Sequence, residues 1–409
     1  MTISYSRSSS LRHLFSKWKG SIWKTCWFEL FIFLALYYLV RVFYNVVLPY
    51  FDEDDDQKYR RAFEHIAIMF DDYIKQIPLT FLLGFYVSTI VRRWWTQFEY
   101  IVWPDDIVTL LCLLFPGTDQ TSRLRRHAIA RYLNLTAALA WRDISQGIRR
   151  RFPTIKHIVA SGLMTEEEEQ LYESLESKAV RWYVPLHWAQ KIIVAEIDDK
   201  GKDAKPLSSL VKIFMSDLKQ YRTSFRKLFS YDWVCVPLVY TQVAALATYG
   251  YFAFCLMGRQ FLDPAKKYKN FEIDFVVPVF TIVQFLFFIG WFKVGQDLLR
   301  PLGTDDDDFE LNYILDRNIR TSFAIVNAVE TAACPQMVED NFWSYQDKLV
   351  PPVAHTELSA RLHEHPPKLH SYVELKNCDD DEISEVQTST VGVKEKYLQK
   401  GQRKRYIDW

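Results

Sequence analysis

Between Val234 and Met257 the sequence VCVPLVYTQVAALATYGYFAFCLM contains no charged residue. An apolar helix needs about 20 residues to cross the roughly 30 Å hydrocarbon core of a bilayer. The run is therefore predicted to span a membrane, and the rest of the chain must be arranged around it. A second run, Phe275 to Phe292, is shorter and ends at Trp291 and Lys293, residue types that favour the membrane interface. It pairs with the first as a hairpin. Nearer the amino end, Leu30 to Phe51 is apolar apart from Arg41, and Ile77 to Val91 is uncharged but short. His65 to Phe70 would extend the latter, across Asp71, Asp72 and Lys75. Spans are thus predicted at about 28–51, 66–91, 234–257 and 275–292. Charges at such depth are tolerated where a helix faces a bundle interior or water, a first hint of a pore.

Basic residues set the orientation. Arg7, Arg12, Lys17, Lys19 and Lys24 precede the first span, whereas Asp52, Glu53, Asp54, Asp55 and Asp56 follow it, which predicts a cytoplasmic amino terminus. Arg92 and Arg93 close the second span on the same side, and four spans return the carboxyl terminus there. No small-residue cleavage site precedes Asp52, so the first apolar run is expected to be retained rather than removed as a signal peptide. Lys+Arg and Asp+Glu both number 50 in 409 residues, and this balance argues against a nucleic-acid binder that works by bulk positive charge. The charges are concentrated outside the predicted spans, as a membrane protein with a large aqueous part requires. Residues 94–230 carry helical periodicity with few glycines and are predicted to be a cytosolic helical region. Within them, Thr165 before Glu166 to Glu169 reads as a helix start, and Asn134-Leu135-Thr136, a formal glycosylation acceptor, falls on the cytosolic side and is expected to be unused. From about Pro351 the composition becomes rich in Pro, His, Glu, Lys and Ser, so 346–409 is expected to be a disordered cytosolic tail. The six cysteines are scattered without a CxxC pair and are expected to be reduced.

The motif content points away from an enzyme. The nine histidines are dispersed, the cluster His363-Glu364-His365 lies in the tail, and GxSxG, HExxH, Walker and GxGxxG patterns are absent. Two other features carry possible function. Asp305-Asp306-Asp307-Asp308 follows Pro301 and Gly303 just beyond the fourth predicted span. It reads either as an acidic helix start or, with turn carbonyls at the negative end of a helix, as a site for a hard cation such as calcium. Ile77, Phe81 and Phe85, four residues apart, lie on one helix face. That face is either ordinary lipid-contacting or packing surface, or a ring-forming hydrophobic constriction if several subunits present it to an axis. Aromatic ring edges would still let anions pass.

Several segments together resemble the bestrophins, a family of calcium-activated anion channels. They are the opening MTISYS, WKGSIWK at Trp18 to Lys24, IPLTFLLGFYV at Ile77 to Val87, RWWTQFE at Arg93 to Glu99 and WPD at Trp103 to Asp105. YDWVCVPLVYTQV at Tyr231 to Val243, GRQFLDPAK at Gly258 to Lys266 and DDDDFELNYILDRN at Asp305 to Asn318 complete the set. The resemblance covers about residues 1–345 and implies an all-α, polytopic membrane protein. It would have four transmembrane helices per subunit, a long cytosolic helical extension and a homopentameric assembly around a central pore. By the same resemblance the chain is a calcium-activated channel for chloride and other small anions, at the plasma membrane, with Ile77, Phe81 and Phe85 as the neck. The calcium ligands implied are side-chain oxygens of Asp305 and Asp308, backbone oxygens of Asp297 and Arg300, and an amino-terminal backbone oxygen, placed at Ser10. Arg300 stands where the family usually has Asn, and the loop between MTISYS and WKGSIWK is shorter than usual. A second, cytosolic aperture would fall near Pro206 and Leu207, with Leu210 as the alternative. A non-conducting membrane regulator of other channels is the competing reading. A transporter ranks last, because no internal repeat is visible.

Overall fold

The computed structural model describes residues 15–51, 57–175, 181–200, 205–266, 268, 276–331, 337–340 and 342–343, with the backbone alone described at 197–200, 205–207, 265 and 329–331. Among them the chain is helical and contains no strand. It forms two compact units, 1–333 and 334–409. In the second, the Asp340 carboxylate accepts the N–H groups of Phe342 and Trp343 at 2.8 and 3.0 Å. The tail expected at 346–409 lies outside the described residues.

The first unit begins with α1 (Ile22–Phe51), a 30-residue helix that passes through one π-helical turn at Phe43–Val47. It starts earlier than the apolar pattern suggests because Ser21 caps it, its hydroxyl accepting the Lys24 N–H. The stretch read as a single span at 66–91 is two helices, α2 (Lys58–Ile74) and α3 (Leu79–Glu99), bent by 44°. Pro78 explains the break: it has no N–H to donate, and its ring disfavours helical geometry in the residue before it. Proline also stands at the N-cap of α4 (Asp105–Leu114), α11 (Leu238–Gly258) and α12 (Val279–Asp297). The third and fourth predicted spans consequently begin a few residues later than the apolar runs do, after Pro237 and Pro278. Helices α1, α11 and α12 are long and apolar enough to cross a membrane, and the bent pair α2–α3 passes the same test when taken together.

Cys26 and Phe33 of α1, Leu83 and Tyr86 of α3, Phe252 and Cys255 of α11, and Phe285 and Ile289 of α12 form one buried cluster. Gly295 lets α12 come close to α3, since a Cβ there would lie 2.8 Å from the Tyr86 ring. Beyond the apolar helices, α3 leads through the Trp103-Pro104-Asp105 turn into α4, followed by α5 (Gln120–Ile144), α6 (Gln146–Arg151), α7 (Ile155–Ala160) and α8 (Glu166–Glu173). Next come α9 (Val184–Lys200), α10 (Lys205–Trp233) and, after α12, α13 (Leu311–Thr331). These share a second, larger core around Leu111, Leu133, Trp141, Phe214, Phe225 and Leu315. Asn134 is fully buried there and donates to the Ala130 carbonyl and the Ser322 hydroxyl, so the formal glycosylation acceptor is a core residue. The four cysteines among the described residues, Cys26, Cys112, Cys235 and Cys255, are free thiols.

Thr165 opens α8 with a reciprocal cap. Its hydroxyl accepts the Glu168 N–H at 3.2 Å and its own N–H donates to Glu168 Oε2 at 2.9 Å. Glu168 also takes both guanidinium nitrogens of Arg131 at 2.6 Å and the Tyr132 hydroxyl at 2.7 Å. Burial opposes ionisation of Glu168, yet these donors together hold its pKa below the ordinary glutamate value. Thr165→Ala is therefore expected to cost about 1 kcal/mol, whereas Glu168→Ala, which also strands the largely buried Arg131, should cost about 2–3 kcal/mol. Thermal unfolding of the detergent-purified protein followed by tryptophan fluorescence measures both, and equal losses would mean that the Arg131 link adds nothing.

Candidate functional site

Helix α3 has two unlike faces. Leu83, Tyr86 and Ile90 are 0–1% exposed and face the chain's own core, whereas Phe81 and Phe85 are 63% and 59% exposed. Their rings meet edge to face with centroids 4.7 Å apart. Ile77 sits half-buried in the break just before the helix, and Ser88, Arg92 and Glu99 continue the exposed stripe toward its end. On the flank of that stripe Gly84 comes within about a methyl group's reach of Trp291 on α12. The same helix ends among Trp94 and Phe98, whose rings lie 5.3 and 5.4 Å from that of Phe309.

Phe309 closes the acidic turn. Its N–H donates to the Pro301 carbonyl at 2.7 Å, and Asp308 N–H donates to the Asp305 carbonyl at 3.2 Å. The Asp308 carboxylate is buried and accepts the Asp305 N–H at 2.7 Å. Burial, together with the charges of Asp305, Asp307 and Asp297, pushes its pKa up to about 6 against the pull of that N–H. Asp306 points the other way. It accepts from Lys24 Nζ at 2.5 Å and from the Gly20 N–H at 3.3 Å, and the Lys24 contact holds its pKa below the ordinary aspartate value. The run of four aspartates is thus divided: Asp306 pins the start of α1, while Asp308 is turned inward beside other carboxylates.

A Cβ built on Gly303 would lie 2.6 Å from Asp308 Oδ2 and 3.7 Å from the Arg300 carbonyl oxygen. Only glycine leaves that space open, so a carboxylate oxygen and a main-chain oxygen border one small cradle. Asp297, the last residue of α12, is close enough for its charge to act on Asp308. Among the described residues no three His, Cys, Asp or Glu side chains form a metal-holding group. A hard cation here would need main-chain carbonyls alongside carboxylate oxygens, the kind of oxygen set such ions accept.

A family profile described as "Bestrophin, RFP-TM, chloride channel" matches residues 1–328. The chain belongs to the bestrophin family. It is 52% identical to bestrophin homolog 13 of Caenorhabditis elegans, over 92% of this chain and 93% of that one. It is 39% identical to human bestrophin-1 over 88% of this chain, which spans only 60% of the human protein's length. Crystal structures of a bacterial bestrophin homolog from Klebsiella pneumoniae share the fold, with TM-scores of 0.52 and 0.53 at 14% and 17% identity. They cover 74% and 73% of this chain and 99% and 97% of theirs.

Of the residues read from the bestrophin pattern, the structure brings Asp305, Asp308, Asp297 and Arg300 into one neighbourhood and sets Phe81 and Phe85 on one exposed face. Ser10 lies outside the described residues. Leu207 lies in the first turn of α10, where the backbone alone is described, and Leu210 packs partly against the larger helical core. Three features escaped the sequence reading: the Gly303 cradle, the seat of Phe309 on α3, and the Lys24–Asp306 pair. WKGSIWK and DDDDF each hold half of that pair, but nothing in either segment says they meet. Other shared segments are scaffold. Arg93 donates to the Tyr231 and Val234 carbonyls at 2.5 and 2.8 Å and covers the Tyr231 ring at 4.8 Å, tying RWW to YDWV. Arg317 pairs with Asp105 at 2.5 Å and lies over Trp103, tying WPD to DRN. Phe309→Ala is expected to remove the seat of the acidic turn and cost about 3 kcal/mol, read as a fall in melting temperature. Phe309→Leu should recover most of the loss, and a silent alanine variant would show that the turn is held by its polar contacts alone.

Proposed function

We propose that the chain forms a homopentameric, calcium-activated channel for chloride and other small anions in the plasma membrane, with four spans per subunit and both termini cytoplasmic. The bent pair α2–α3 serves as one of the four spans. The observation that carries this reading is the exposure of Phe81 and Phe85 on a helix whose other face is fully buried. Two aromatic side chains left uncovered by their own chain suit a narrow apolar ring made by several copies around an axis, and membership of a family described as a chloride channel supports chloride as the permeant ion. Ile77 at the helix break joins them in the proposed neck, and Leu207 is proposed to line the cytosolic aperture.

The calcium site is proposed at the acidic turn, with the carboxylates of Asp305 and Asp308, the main-chain oxygens of Asp297 and Arg300, and an amino-terminal oxygen near Ser10. The cradle at Gly303 and the inward, charge-opposed Asp308 fit such an ion. Bound calcium would supply the positive charge that these clustered carboxylates lack. The chain's own part is mechanical: the turn sits on Trp94 and Phe98, so its position is carried along α3 to Phe81 and Phe85. Gating then requires that the open arrangement hold the turn's oxygens in the better ligand geometry.

The test is current through purified protein in planar bilayers under a chloride gradient, with free calcium stepped from nanomolar to micromolar. A current that reverses near the chloride potential and rises with calcium is expected. The pair Asp305→Asn and Asp308→Asn should abolish the calcium response, and alanine at Ile77, Phe81 and Phe85 together should leave channels open without calcium. Silence from a well-folded oligomer would favour a non-conducting regulator. Intact calcium dependence in the double variant would remove the acidic turn from the account.

A further inference from the structure

Arg92 and Arg93 are neighbours in α3 with opposite surroundings. Arg93 donates from Nη2 to both the Tyr231 and Val234 carbonyls and lies over the Tyr231 ring. Arg92 is exposed, and its guanidinium has no hydrogen bond, ion pair or ring contact among the described residues. An α-helix turns about 100° per residue, so eleven residues bring Arg92 to within roughly 20° of the direction of Phe81, and seven bring it equally near that of Phe85. It therefore lies in the centre of the sector that the two phenylalanines define, about 10 Å further along the axis than Phe85. Between them Ser88, on the same stripe, turns its hydroxyl back to the Phe85 carbonyl at 3.1 Å. Glu99, the next charged residue on that stripe, lies another two turns away, again about 10 Å.

We propose that Arg92 is a specificity-determining residue of the pore: an unpaired guanidinium on the inner side of the neck that concentrates small monovalent anions at its mouth. The proposal rests on the reading of Phe81 and Phe85 as pore-facing. An arginine is charged at every accessible pH, and its weakly hydrated, planar group favours exchangeable contact with small anions. One such residue from each subunit would make a ring of fixed positive charge next to a low-dielectric constriction, where field lines are focused and local counter-ion concentration rises. The neck itself, being apolar, offers chloride no such attraction, so anion supply to it depends on charge placed just beyond. Arg93, a single residue away but turned inward, cannot do this, because its charge is already spent on the α10–α11 junction.

The experiment compares wild type with Arg92→Gln, Arg92→Glu and Arg92→Lys, each reconstituted in planar bilayers at saturating calcium, in symmetrical chloride of about 20 mM and about 1 M, where charge is screened over roughly 20 and 3 Å. Arg92→Gln is expected to lower single-channel conductance about threefold or more in the dilute solution and hardly at all in the concentrated one. Arg92→Glu should lower it further and shift the reversal potential in a salt gradient toward that of the cation. Arg92→Lys should keep the wild-type conductance, separating charge from shape. If wild type conducts, responds to alanine substitution at Phe81 and Phe85, and matches Arg92→Gln at both concentrations, the inference on Arg92 falls while the pore reading stands; a guanidinium facing lipid phosphates would behave in this way. If channels with alanine at Phe81 and Phe85 still close fully when calcium is withdrawn, the pore reading falls and takes the inference with it.

Discussion

The acidic turn hangs on one apolar contact, the ring of Phe309 against Trp94 and Phe98. Four adjacent aspartates repel one another and would be extended in water, and no hydrogen bond among them is strong enough to hold Asp308 in a buried position with a raised pKa. Burying a phenylalanine stabilises by about 2–3 kcal/mol, which is of the size needed to offset that cost. The result is a turn under electrostatic load, closed by Phe309 N–H on the Pro301 carbonyl and pinned from outside by Lys24 on Asp306. Because Trp94 and Phe98 belong to the helix that carries Phe81 and Phe85, the same contact places the load at one end of the helix and the exposed aromatic pair at the other.

The helices that cross this frame are delimited mainly by proline. Pro78, Pro104, Pro237 and Pro278 each stand at the N-cap of a helix, where a missing N–H costs nothing. At Pro78 the effect is larger than a boundary, because the bend between α2 and α3 changes which face the following turns present. Close approach of α3 and α12 at Gly295 then buries Tyr86 and Leu83, and the exposure of Phe81 and Phe85 follows from the helical repeat.

Among the described residues at the other end of the apolar helices, a buried charge is held by its partners. Glu64 is fully buried, yet it accepts from Lys266 at 2.8 and 2.9 Å, from the Tyr44 hydroxyl at 2.7 Å and from the Tyr268 hydroxyl at 2.9 Å. Gly258 lies so close to the backbone of α2 that a Cβ would be 2.7 Å from the Asp71 nitrogen. GRQFLDPAK is therefore a brace between α11 and the start of the bent pair, in which a charge is tolerated because its partners are in place. Arg93 and Arg317 play the same part nearer the larger helical core, and Arg92 stands out against them as a charge with no such partner among the described residues.

The sequence alone determined the number of long apolar runs, the helical character of the region that follows them, the family, and the identity of the residues worth watching. Those properties depend on hydrophobic length, periodicity and shared motifs, all of which are local or directly readable. The tertiary structure alone decided which of those residues have company. Asp305 to Asp308 look equivalent in the sequence, but Asp306 is taken by Lys24 and Asp308 by burial beside the Gly303 cradle, because the start of α1 and the end of α12 meet there. Arg92 and Arg93 look equivalent as well, and the turn of the helix sends one to the α10–α11 junction and leaves the other exposed. Ion pairs and packing join residues hundreds of positions apart, and neither member of such a pair carries a local mark of the other.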